Sequence, residues 1–207
     1  MRGDLAEGFA YVRAHAWLWA TLVGAALFLL VSYGPFEVLL PYIIRNDLGG
    51  GAATFGAVLA AGGLGSIAAA LLLSRTGAPR RHVTFMWAAW GLGTLLDVGL
   101  AIAGAAWQMC AIAFVSFGLA TAGMVIWNTL MNTLVPAGML GRVSSLDWFV
   151  SIGLTPVSFA LTGPVAEWLG ARTTLALAGL VGALTIGFLF VPGVRDPERQ
   201  PLAVSAG

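Results

Sequence analysis

Six long apolar runs, at residues 17–44, 52–74, 83–105, 109–135, 143–169 and 173–191, leave this chain little choice of fold. Each is near or above the ~20 residues that a helix needs to cross about 30 Å of hydrocarbon. Lipid offers backbone amides and carbonyls no partner, so a crossing segment must satisfy its own hydrogen bonds, as a helix does. Composition points the same way: 9% of residues are charged and 59% are hydrophobic. A soluble domain carries about a quarter charged residues, so lipid is the solvent for most of this chain. The expected architecture is an all-α membrane protein with a six-helix transmembrane bundle over residues 17–192. Residues 193–207 are expected to form a disordered cytoplasmic tail. Residues 1–16 read as a short amphipathic interfacial helix, because Leu5, Phe9 and Val12 share one face while Arg2, Asp4 and Arg13 avoid it.

The arginines orient the bundle. There is no Lys, and with a cytoplasmic amino terminus the inner segments hold Arg2, Arg13, Arg75, Arg80, Arg81, Arg142, Arg195 and Arg199. Only Arg45 and Arg172 fall outside, and eight against two satisfies the positive-inside rule. Both termini are then cytoplasmic in a multi-pass protein, expected in a bacterial cytoplasmic (plasma) membrane. Three spans followed by three of opposite orientation is also the layout of a 3+3 inverted repeat. That symmetry is topological, since the two triplets show no evident likeness along their length.

Residues 62–82 combine packing and topology. Gly62, Ser66 and Ala70 lie four apart, a spacing that lets two helix backbones approach closely in a bilayer. Arg75, Arg80, Arg81 and His82 then mark the membrane edge.

Several function classes are excluded or disfavoured. A net charge of +1 leaves no basic face for nucleic acid. The lone Cys110 permits neither an internal disulfide nor a cysteine metal site, and no cofactor or metal is expected. An intramembrane serine hydrolase needs Ser and His facing each other inside the bilayer, whereas His15 and His82 lie at span edges. A metalloprotease would need His-Glu-x-x-His, which is absent. The chain is not expected to be an enzyme.

Four phrases resemble the major facilitator superfamily, in particular the branch of enterobactin and macrolide exporters. They are EGFAYVRAHAWLWA (7–20), LLPYIIRNDLGGGAATFG (39–56), LLLSRTGAPRRH (71–82) and NTLVPAGMLGRVSSL (132–146). Their order is that of the carboxy-terminal six-helix half, which implies that residues 1–16 are an amphipathic cytoplasmic linker helix joining the two halves. The superfamily's cytoplasmic signature runs Gly, three residues, Asp-Arg, one residue, Gly, then basic residues. Here Ala70 and Ser74 replace its Gly and Asp, while Arg75 and Gly77 match, and Ala78-Pro79 precedes Arg80 and Arg81. The resemblance implies one half of a secondary active transporter, an efflux carrier for a small amphipathic molecule such as a drug or siderophore. Proton coupling and alternating access against a second six-helix unit, from the same or another chain, are implied as well. Expected partners are membrane lipid, the small-molecule substrate and that second half. The alternative is a truncated or fragmentary membrane domain that does not transport alone.

Ionisable and amide side chains within spans are the candidate site, because each costs about 2.5–3.5 kcal/mol at a helix centre on insertion scales. Asp97 is deepest. The resemblance makes its helix peripheral, which favours local pairing over a substrate role. Glu37 follows Gly34-Pro35, where the first helix is expected to kink or unwind, and the resemblance places that helix beside the central cavity. Trp127, Asn128 and Asn132 form a further cavity candidate, with Asn128 and Asn132 one turn apart. Thr155, Ser158 and Thr162, around Pro156, offer either cavity contacts or helix glue. Arg142 and Asp147 flank the expected start of the fifth helix, as an inner-gate ion pair or as a cap region with Ser144 or Ser145. Arg75, Gly77, Arg80 and Arg81 are the loop candidates.

Overall fold

The structure, a computed structural model, describes residues 2–199, with side chains from 7 to 198 except at position 150. Every element among the described residues is helical. Helix α1 (Arg2–Ala14) leads into the first span, Ala16–Asn46, which comprises α2 (Ala16–Phe28), one turn of π-helix (Leu29–Tyr33) and α3 (Gly34–Asn46). The other spans are α4 (Ala52–Thr76), α5 (His82–Ile102), α6 (Ala106–Leu134), α7 (Ala137–Leu169) and α8 (Ala171–Leu184), the last continued by a 3-10 segment to Phe190. Large apolar side chains point outward around the bundle, Trp107, Phe149, Ile102 and Phe190 among them. Such a surface is stable in lipid and not in water.

The first span does not unwind at Gly34-Pro35. Pro35 cannot donate to the carbonyl four residues back, and its ring crowds that carbonyl. The π-turn just before it widens the hydrogen-bonded ring by one residue and absorbs the mismatch. Gly34 itself is ordinary helix at φ −60. Its smallness serves packing: a Cβ there would lie 2.5 Å from Ser158 Oγ. The Gly34 amide donates to that same oxygen at 2.9 Å. Ser158 is thus a clasp between the first and fifth spans.

The packing order has a symmetry. The second span, α4, packs on the fourth, α6, as the fifth, α7, packs on the first; α5 packs on α6 as α8 packs on the first span; and α5 packs on α8. Exchanging spans 1–3 with spans 4–6 maps this pattern onto itself, as a 3+3 inverted repeat requires. A short phrase marks the axis. Val31-Ser32-Tyr33-Gly34 in the first span matches Val115-Ser116-Phe117-Gly118 in the fourth. Both glycines sit at close approaches, Gly34 on Ser158 and Gly118 on Gly65.

At that second approach the small-residue face of α4 is Gly62, Gly65, Ser66 and Ala69, and not the row through Ala70, which is exposed. A Cβ on Gly65 would stand 1.8 Å from the Phe114 carbonyl oxygen. Ser66 Oγ donates to the Phe117 carbonyl at 3.4 Å. The reason is the helical period: i, i+3, i+4, i+7 follows one face, whereas steps of four alone drift around it.

Local differences from expectation have equally local causes. Helix α7 starts at Ala137, behind Pro136, so Ser144 and Ser145 lie inside it and do not cap it. Ser145 Oγ donates to the Gly141 carbonyl, one turn back. The chargeless break before α6 is held by Gln108, whose Oε1 accepts from the amides of Gly104 and Ala105 at 2.8 and 3.1 Å. In the stretch expected to be disordered, residues 193–199 are turned and docked on α5. His82 Nε2 meets the Pro197 carbonyl at 3.1 Å, and Glu198 accepts from the Thr84 amide in the first turn of α5. Residues 200–207 lie outside the described residues.

Two apolar clusters close the bundle's ends. The first, at the arginine-rich end, gathers Leu18, Trp87, Ile126, Leu130 and Val143 with Val12 of α1. The second gathers Leu40, Ile43, Val58, Leu100 and Met109.

Candidate functional site

Between the two clusters lies a cavity of about 750 Å³. It is lined by all six spans, from Thr21 and Phe36 in the first to Ala178 and Thr185 in the sixth. The first and fourth spans face each other across it, and α6 and α7 touch only slightly. Its exposed lining residues, Glu37, Ala120, Met124, Asn128 and Trp148, come from α3, α6 and α7 and mark the mouth.

The cavity gathers five of the candidate residues. Glu37 stands in the first turn of α3, and Trp127 and Asn128 line the wall from α6. Asp147 contributes from α7. Asp97 is the finding that resemblance did not lead one to expect: its helix packs in the bundle wall, yet its carboxylate opens into the same space as Glu37. The Ser116 hydroxyl stands beside that carboxylate. Both atoms, Asp97 Oδ1 and Ser116 Oγ, are buried, and beyond that contact neither has a hydrogen-bond partner among the described residues. An orphaned buried polar group costs about 1–3 kcal/mol.

Other candidates stand apart. Asn132 is exposed and donates to the Asn128 carbonyl of its own helix at 2.7 Å. Thr155 and Thr162 likewise bond back to Ser151 and Ser158, one turn earlier. Arg142 reaches Glu7 of α1 at 2.7 Å, tying α1 to α7. Arg75, Arg80 and Arg81 are exposed at the bundle's end, and Gly77 holds φ +77 just past α4, where a side chain would be strained. Ser74, at the signature's Asp position, donates to the Leu71 carbonyl of its own helix.

Residues overlooked in the sequence supply most of the wall. They include Ser32, Thr94 and Ser116 as polar groups and Tyr33, Phe36, Trp87, Trp90 and Phe117 as rings. The signal for several of them was the Val-Ser-aromatic-Gly phrase. A family model described as transmembrane secretion effector matches residues 1–204. The chain belongs to that family, within the major facilitator superfamily. No curated protein and no solved structure matches the chain. Membership makes it a multi-pass membrane transporter, and the six-helix bundle is one half of a major facilitator fold.

Proposed function

We propose that this chain is the carboxy-terminal half of an exporter related to the enterobactin and macrolide carriers. It moves a small amphipathic molecule out across a bacterial cytoplasmic membrane. Both termini face the cytoplasm, and a second six-helix unit closes the cavity's mouth. Alternating access then rocks the two halves about the cavity, with protons as the coupling ion.

The observation that carries this reading is the cavity itself, set between two apolar seals and open along α3, α6 and α7. A rocking carrier needs a site at mid-depth and an apolar seal at each end. Glu37, Asp97 and Asp147 are the carboxylates available for proton exchange. Arg75, Arg80, Arg81 and Arg142 sit where an inner gate would pivot.

The test is dye accumulation in cells making the chain alone, as two fused copies, or with the six-helix unit encoded beside it. The expected outcome is lower accumulation with a competent partner, abolished when an uncoupler collapses the proton gradient. Normal membrane insertion with unchanged accumulation in every pairing would overturn the reading.

A further inference from the structure

The cavity's chemistry narrows the guest. Beyond the contact between Asp97 and Ser116, the buried atoms Trp87 Nε1, Asp97 Oδ1 and Ser116 Oγ have no hydrogen-bond partner among the described residues, and all three belong to residues that line it. Native interiors rarely leave such groups under-matched, so their gathering around one space points to a polar guest. The repeat sharpens this. Ser32 donates to the Ala178 carbonyl at 2.7 Å and is spent on packing. Its counterpart Ser116 is only 3% exposed and has no such bond.

Charge decides the sign of the guest. The lining holds Glu37, Asp97 and Asp147 and no Arg or His, and the chain has no Lys. Arg172 and Arg142 lie elsewhere, paired with Asp47 and Glu7. In a low-dielectric space an unpaired carboxylate is costly to ionise, and a bound cation offsets that cost whereas an anion adds to it. The walls favour a cation too, because aromatic rings present negative faces to it. Trp87 and Trp90 meet edge to face at 6.1 Å, and Phe36 tilts against Phe117 at 5.7 Å.

We propose that the cavity binds a lipophilic organic cation, with Asp97 as its charge partner and the aromatic walls holding its apolar body. This rests on reading the cavity as the substrate site. The Ser116 hydroxyl lies beside the charge. Glu37 and Asp147 draw the cation inward from the mouth. An anionic molecule, such as a catecholate siderophore, meets three like charges instead and is disfavoured.

The probe is an isosteric pair of opposite charge, tetraphenylphosphonium and tetraphenylborate, bound to the purified full chain in nanodiscs and measured with labelled ligand. The cation should bind saturably and roughly tenfold or more tighter than the anion. Asp97→Asn should weaken cation binding by roughly tenfold, with recovery in Asp97→Glu, while Glu37→Gln at the exposed mouth costs about threefold. Thermal unfolding confirms that each variant is folded. Equal or tighter anion binding, undiminished cation binding by folded Asp97→Asn, or no saturable binding overturns the inference. The transport reading fails separately. Charge-selective binding without export in any pairing sinks the exporter and leaves the cation site, whereas export confined to anions does the reverse.

Discussion

At the residue scale, contact with another backbone separates essential from incidental glycines. Gly65 and Gly63 are two positions apart on α4, yet a Cβ on Gly65 would collide with the Phe114 carbonyl while one on Gly63 meets nothing within 4 Å. Gly65→Leu should therefore part α4 from α6 and cost about 1–3 kcal/mol or more, the range for overpacked interiors. Gly63→Leu should be nearly neutral and is the matched control. Thermal unfolding midpoints in detergent compare the two, and equal shifts would refute the close approach. Arg172 makes a second residue-scale case. It pairs with Asp47 at 2.6 Å and donates to the carbonyls of Ala101 and Ala103 at 2.8 and 3.0 Å, so one fork gathers three segments. Because a lysine has one point of charge, Arg172→Lys should destabilise almost as much as Arg172→Ala. The loss is about 1–2 kcal/mol after allowance for partial exposure, and full rescue by Lys would show that charge alone matters.

At the element scale, α1 shows which contact anchors a helix to a bundle. Its ion pair with Arg142 is largely exposed, with Glu7 at 64% and Arg142 at 35%, and such pairs are worth about 0–1 kcal/mol. Val12, by contrast, is buried in the cluster at that end. Val12→Ala should thus lower stability more than Glu7→Gln, and the reverse order in unfolding midpoints would make α1 an electrostatic strap. The same scale shows what the sequence could reveal. All six spans were legible, because length and hydropathy are properties of each run by itself. The π-turn was not, since Gly34-Pro35 signals a disturbed helix without saying how the mismatch is absorbed. The start of α7 was misplaced because an uncharged opening after Pro136 carries no polarity step. Asp97 was legible as costly but not as cavity-facing, because that depends on where α5 sits against α6 and α8. Ser116, a small polar residue in an apolar run, became visible only beside Ser32.

At the scale of the whole molecule, the two triplets are related by symmetry in their packing but not in their chemistry. The first-span serine is bonded to α8, its fourth-span counterpart is not, and Asp97 on α5 stands beside it. The bundle keeps one copy of the motif for cohesion and one for the cavity. Orientation follows from the same global view, because α4 carries Arg75 at one end while Asn46 closes α3 at the other membrane face. If eight arginines hold their end in the cytoplasm, the two faces must differ in access from outside. In a Cys110→Ser background, a membrane-impermeant maleimide should label Asn46→Cys in intact cells and Ser74→Cys only after permeabilisation. Adding Arg to the 45–51 loop should weaken this polarity, since charges close to span ends set topology in short loops. Labelling of Ser74→Cys in intact cells would invert the protein, and with it the direction in which its cavity passes a guest.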